Sequence, residues 1–208
     1  MNTALNTAIR TNYTFEEYLA FEENASERHE YHNGQIFAMA GGTGDHSLIA
    51  GSINTALDNA IDREGKHCVV FNSDMKVRVE KYNKGVYPDL TAVCGDIEYF
   101  NEKRTVLQNP ILFIEVLSES TKEYDKSEKF EMYRSIPSFQ EYMVVYQSIP
   151  RVQTWYKETD ELWRISSAQG LDQSIQLYSI GCSLALADIY KRVLKNLKDI
   201  PEDLSLAY

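Results

Sequence analysis

Apolar positions along the chain fall into two periods. Ile49, Ile53, Leu57 and Ile61 recur every four residues, which predicts a long helix with Asp45 as its N-cap and Gly65 at its end. From Val69 to Glu80 the pattern becomes alternating. Met75, Val77 and Val79 face one way and Lys76, Arg78 and Glu80 the other, the signature of one half-exposed strand. Val86–Cys94 predicts a second strand, with Pro88 near its start, where a missing N–H is tolerated. Tyr142–Tyr146, Val152–Tyr156, Leu162–Ile165 and Ser174–Tyr178 predict further strands, mostly in a meander. Leu186–Leu197 predicts a helix. Ahead of these, Thr14 and Glu17 form a capping box for a short helix reaching Phe21. Arg28–Met39 reads as a hairpin turning at Asn33-Gly34.

One apolar run stands apart. Ile111-Leu112-Phe113-Ile114-Glu115-Val116-Leu117 reads as a strand covered on both faces, interrupted by one carboxylate. A buried carboxylate is costly unless something meets it, so a metal, a lysine or arginine, or a proton belongs opposite Glu115. Ser120 and Glu123 then signal a helix start. The helix would carry Asp125, Lys129 and Tyr133 on one face and stop near Ser135, ahead of Pro137.

The elements add up to a single α/β or α+β domain over residues 13–198, a central mixed sheet flanked by helices, with tails at 1–12 and 199–208. Length and composition agree: 208 residues, 43% hydrophobic and 25% charged. No apolar run reaches the ~18 residues of a membrane helix, and the first residues lack the features of a signal peptide. Cys68, Cys94 and Cys182 are widely spaced and odd in number. They read as reduced thiols in a cytoplasmic protein rather than as disulfides or a zinc site. The net charge of −10 excludes nucleic-acid binding by bulk attraction, so any phosphate binding needs a local basic patch or a bound cation.

Against that background the acids gain meaning. Asp89 opens one strand and Glu115 lies in the next, so adjacent strands bring the two together. Two carboxylates at one point repel unless a cation lies between them, and hard ions such as Mg²⁺ suit such oxygens. Lys129, on the second turn after the strand, is placed to reach back over the sheet edge and act on a phosphoryl oxygen or a water. The plainer alternatives are a surface Asp, a Glu–Lys pair and an Asp125–Lys129 helix pair. Asp74-Met75-Lys76 matches a D-x-K pattern, but its alternation assigns it to a solvated face. His46, in the first turn of a helix, sits where the dipole disfavours a protonated ring. His29, His32 and His67 have no metal-ligand spacing. Gly41-Gly42-Thr43-Gly44 lacks the Gly-Lys-Ser/Thr ending of a phosphate loop.

Taken in order, Arg28-His29-Glu30-Tyr31, Asn33-Gly34-Gln35, His46, Tyr87-Pro88-Asp89, Ile114-Glu115-Val116-Leu117-Ser118-Glu119-Ser120-Thr121 and Asp125…Lys129…Tyr133 resemble the Uma-two family of restriction-endonuclease-like proteins, over roughly residues 13 to 190. The resemblance implies the PD-(D/E)XK nuclease fold and Mg²⁺- or Mn²⁺-dependent cleavage of DNA phosphodiester bonds. Asp89 and Glu115 would hold the metal with the Val116 carbonyl, Lys129 would serve the chemistry, and Glu30 would assist. His46, Asp125 and Tyr133 would be accessory. Position 117 departs from the superfamily pattern, with Leu117 where a lysine is expected and Lys129 offered from the next helix instead. The rival readings are a non-catalytic module of the same fold that binds protein or nucleic acid, and a phosphodiesterase for small nucleotides. A homodimer suits an enzyme that cuts two strands.

Overall fold

In a computed structural model the chain is described over residues 9–117 and 125–199, with side chains resuming at Ser127. Helix α1 (Phe15–Glu22) starts as expected: Glu17 N–H donates to Thr14 Oγ1 at 3.2 Å and Thr14 N–H to Glu17 Oε2 at 2.8 Å. Strands β1 (His29–His32) and β2 (Gln35–Ala38) form the expected hairpin. Asn33 at φ 47° and Gly34 at φ 89° give the left-handed pair that a two-residue turn requires. Helix α2 (Gly44–Arg63) buries Ile49, Ile53, Leu57 and Ile61. Its N-cap is Thr43 rather than Asp45, because Thr43 Oγ1 accepts the His46 N–H at 3.2 Å.

Both long strands expected next are broken. Residues 69–80 divide into β3 (Cys68–Asn72) and β4 (Lys76–Val79). Asn72 forms the corner, its carbonyl taking Met75 N–H at 3.1 Å and its side chain Asp74 N–H at 3.0 Å. The strand expected over Val86–Cys94 keeps only Leu90–Cys94 as β6, Val86 ends a separate β5 (Lys84–Val86), and Tyr87-Pro88-Asp89 carries the chain from one sheet to another. Then come β7 (Val106–Leu107), β8 (Leu112–Leu117), a wide π turn at Asp125–Lys129 and α3 (Phe130–Tyr133). They are followed by β9 (Glu141–Tyr146), β10 (Arg151–Lys157), β11 (Trp163–Gln169), β12 (Ser174–Leu177) and β13 (Cys182–Ala185), the last not expected. Helix α4 (Leu186–Tyr190) is shorter than expected. Leu186, Ile189, Tyr190 and Val193 keep a helical spacing toward the core, but the backbone breaks after Tyr190 and resumes as a 3₁₀ turn at Leu194–Asn196. The Ser120–Glu123 capping box lies outside the described residues.

The fold is mixed α+β. A six-stranded sheet runs β11-β10-β9-β8-β6-β3, parallel only between β8 and β9, and a five-stranded sheet runs β2-β1-β5-β4-β7. Helices α2 and α4 and the β12–β13 hairpin cover one face of the larger sheet, burying Ile53, Leu57, Leu112, Ile114 and Ile189. The other face meets α3 and the smaller sheet through Val77, Val86, Phe113, Tyr133 and Tyr142. Strand β8 is therefore buried on both faces along its length, as its apolar run predicts. Among the described residues no helix is long and apolar enough to cross a membrane.

The expectation of three reduced thiols is corrected. Cys68 and Cys94 stand opposite each other on β3 and β6 and form a disulfide, leaving Cys182 free and buried. Separation in sequence hid the pair, because antiparallel register and not spacing brings the two together. The cytoplasmic expectation loses the support it drew from thiols.

A second buried acid yields a pH prediction. Glu141 opens β9 with no exposed surface. Its Oε2 accepts Ser179 N–H at 2.9 Å and Ser179 Oγ–H at 2.7 Å, while Oε1 is buried without a hydrogen-bond partner among the described residues. Burial raises its pKa above 4.5 despite the Ser179 bonds. The folded state then holds this proton more tightly than the unfolded chain. Its contribution to stability is best below the ordinary carboxylate range and falls as pH rises from there through the folded value. Glu141→Gln should remove this slope and gain about 1 kcal/mol over wild type at pH 8, with little difference at pH 4. Urea denaturation at both pH values measures it, and a difference independent of pH would contradict the assignment.

Candidate active site

The candidate residues meet where the chain crosses between sheets. Register places Leu90 of β6 opposite Ile114 of β8, so Asp89 lies one step beyond, beside Glu115. Asp89 is fixed there: its Oδ2 accepts Val116 N–H at 2.8 Å and stands 3.0 Å from His46 Nε2. Oδ1 takes no hydrogen bond among the described residues. In a strand the N–H and C=O of one residue point to the same side, so the Val116 carbonyl also faces Asp89.

Glu115 is 3% exposed. Its Oε2 lies 3.0 Å from Lys129 Nζ, and its Oε1 accepts the Tyr133 hydroxyl at 2.6 Å. The question the sequence left open is thus answered by an ammonium and a phenol four residues apart on one helical face. Burial first, then the charge of Glu115, pushes the Tyr133 pKa far above its ordinary value, so this hydroxyl stays a donor. The side chain of Asp125, expected on the same face, lies outside the described residues.

Glu30 and His46 complete the group. Glu30 sits on β1 with His32 Nε2 at 3.0 Å from its Oε2 and Tyr87 N–H at 3.5 Å from its Oε1. Burial works against its charge, but the His32 bond and the charge of Lys129 outweigh it and lower the pKa. His46 stands closer than expected, in direct contact with Asp89. That hydrogen bond raises its pKa against burial, with the charges of Asp89 and Glu115 adding and Lys129 opposing. The Asp89 contact raises the pKa of a ring that a helix N-terminus alone would keep neutral.

Two participants were missed. His32 lies two residues after Glu30, so β-alternation alone would have put both on one face. Tyr87 was read only as part of Tyr87-Pro88-Asp89, without a role of its own. It ties the site to a second buried cluster, its hydroxyl donating to Glu22 Oε1 at 2.6 Å. Glu22 also accepts the His29 N–H and holds His29 Nδ1, each at 2.9 Å. Lys76 belongs to this second cluster and not to a solvated face, its Nζ donating to the Tyr87 hydroxyl at 3.1 Å, and burial lowers its pKa. Neighbouring Asp74 is solvent-facing as expected, 79% exposed, in an ion pair with Arg28. The two lysines are separated electrostatically. Lys129 acts on Glu30 and His46, whereas the acid acting on Lys76 is Glu22.

The donor set suits a hard divalent ion. Among the described residues no three His, Cys, Asp or Glu side chains form a metal cage. Two carboxylates and a carbonyl instead match Mg²⁺, which binds few protein oxygens and keeps water or phosphate in its remaining positions.

Comparison with known proteins bears on the family and the fold. A family model named Uma2 and described as "Putative restriction endonuclease" matches residues 15–187. The Synechocystis protein slr1290 is 36% identical over 176 residues, covering 85% of this chain and 90% of its own length. A second Synechocystis protein, sll1609, is 32% identical over 164 residues, covering 78% and 91%. The crystal structure of "a putative nuclease belonging to DUF820" from Anabaena variabilis shares the fold. Its TM-score is 0.68 at 15% identity, over 88% of this chain and 99% of that one.

Proposed function

The chain belongs to the Uma2 family, and from that premise we propose that it is a Mg²⁺- or Mn²⁺-dependent endonuclease that hydrolyses DNA phosphodiester bonds. The observation that carries this reading is the convergence of Asp89 and Glu115 from adjacent strands with Lys129 at 3.0 Å from Glu115. Asp89, Glu115 and the Val116 carbonyl would hold the ion. When bound, it would supply Lewis-acid polarisation of the phosphate and a lowered pKa for the attacking water. Lys129 leaves Glu115 to stabilise charge growing on the phosphoryl oxygen or to orient that water. Tyr133 keeps the Glu115 carboxylate oriented while the lysine is engaged elsewhere. Glu30, whose charged form the His32 bond favours, adds its electrostatic attraction to the ammonium of Lys129. His46 holds Asp89 by the oxygen that also accepts Val116 N–H. The reading also resolves the charge problem, because a protein of net charge −10 meets a polyanion through a cation and not through its surface.

Supercoiled plasmid incubated with Mn²⁺ tests it. Nicking is expected, and Glu115→Gln should abolish it. DNA retained without cleavage by the wild-type protein would leave a non-catalytic binding module, and neither cleavage nor binding would remove DNA as the substrate.

A further inference from the structure

The chain covers two of its sheet edges with its own backbone. Along β2, Ile9 N–H donates to Ile36 O at 2.8 Å and Ile36 N–H to Arg10 O at 2.9 Å. Along β7, Phe100 N–H donates to Val106 O at 2.9 Å and Gln108 N–H to Glu98 O at 3.0 Å. The six-stranded sheet ends on β3 and β11. Of these, β11 is the longer at seven residues and pairs with β10 without a bulge from Trp163 to Gln169. It carries no lysine and no proline, the devices that keep an edge strand from recruiting another. Its one charge, Arg164, is met by Glu158. Ile165 at 65% and Leu162 at 55% are the most exposed large apolar side chains among the described residues, and both lie at this edge.

We propose that β11 pairs antiparallel with β11 of a second copy of this chain, about a two-fold axis at Ile165, so that two six-stranded sheets become one. The strand complements itself in this register. A two-fold axis normal to the sheet keeps each face on its own side and centres the pairing on a residue. At Ile165 it sets the two exposed isoleucines against each other, on the face that carries Trp155 and Trp163, with Arg164 opposite Ser166 and Trp163 opposite Ser167. Centring on Arg164 would oppose like charges, and centring on Ser166 would face Ile165 with Ser167. Strand β3 is the weaker edge: it has five residues, turns at Asn72, and offers Val69 alone as an exposed large apolar side chain.

Sedimentation of the purified chain, without DNA or metal, tests the proposal independently of the nuclease reading. Wild type is expected at twice the monomer mass. Ile165→Lys should halve that mass while keeping the wild-type circular dichroism spectrum, since the side chain is exposed, and Ile165→Leu should remain dimeric. Ile165→Cys should give a covalent dimer with glutathione disulfide, its two thiols losing two protons and two electrons as the glutathione disulfide is reduced to two glutathiones. Wild type should not cross-link, because Cys182 is buried and Cys68 is bonded to Cys94. A monomer at all concentrations overturns the proposal. So does a dimer indifferent to Ile165→Lys, including one that Val69→Lys dissociates instead.

Discussion

Lys129→Met is expected to lower plasmid cleavage about 10²- to 10³-fold, the scale of removing one preorganised charge from a transition state, while Lys76→Met changes it only a few-fold. Both lysines follow an acid in the sequence, and both are removed from bulk solvent. Their surroundings separate them, with Lys129 on Glu115 and Lys76 on the Tyr87 hydroxyl. Lys129→Met also has a structural consequence. It takes the ammonium away from a carboxylate that is 3% exposed, and breaking a buried pair costs about 3 kcal/mol, the lower end of the range because Lys129 is 17% exposed. A divalent ion bound at Glu115 should return part of that loss. The variant is therefore expected to melt well below wild type in chelator and to show a larger Mn²⁺-induced rise. Cleavage unaffected by Lys129→Met but lost in Lys76→Met would move the catalytic role to the second cluster.

Much of the site was legible because its chemistry conflicts with its surroundings. Glu115 interrupts an apolar run, and one anomalous acid in a buried strand demands a partner whatever the fold. Asp89 was legible through Pro88, which marks a strand start, and Lys129 and Tyr133 through their four-residue spacing. His32 and Lys76 were not. His32 shares a strand face with Glu30, which alternation gives but composition does not single out, whereas Lys76 looks ordinary until tertiary contact with Tyr87 shows what it does. His46 was half legible. Its helix turn was evident, but the local dipole was weighed alone, and the sequence does not reveal how near a carboxylate stands to a ring.

Elements built on short-range chemistry were read well, and those set by distant contacts were not. The Thr14–Glu17 box, the Asn33-Gly34 turn and the α2 stripe are fixed within a few residues. The split of residues 69–80 is local too, but its cause is the Asn72 side chain, which alternation scoring overlooks. The crossing at Tyr87-Pro88-Asp89 joins two sheets, and each side of it looks like one continuous strand in sequence. Helix α4 stops where Tyr190 is held by tertiary bonds: its hydroxyl lies 2.8 Å from the carbonyls of both Tyr146 and Arg151 and shares its one proton between them. Periodicity records which face is buried and not whether the backbone remains continuous.

Glu115→Gln is expected to abolish both the Mn²⁺-induced rise in melting temperature and cleavage, and to weaken the metal-free protein. Mutual repulsion between Asp89 and Glu115 would predict the opposite for stability, since a neutral residue would relieve it. The geometry reverses that sign. Lys129 stands 3.0 Å from Glu115, and His46, its pKa raised by the contact with Asp89, stands 3.0 Å from that acid. An amide at position 115 keeps an oxygen for the Tyr133 hydroxyl but gives up the charge that holds Lys129, a loss of about 2 kcal/mol for a buried charge-assisted bond. On the proposed reading, Asp89 and Glu115 would exchange His46 and Lys129 for a divalent ion, which would leave Lys129 free for the phosphate. Calorimetric titration with Mn²⁺ and melting in chelator separate the two effects. A Glu115→Gln protein that still shifts with Mn²⁺ takes Glu115 out of the metal site, and one that is more stable than wild type in chelator shows that repulsion outweighs the Lys129 pair.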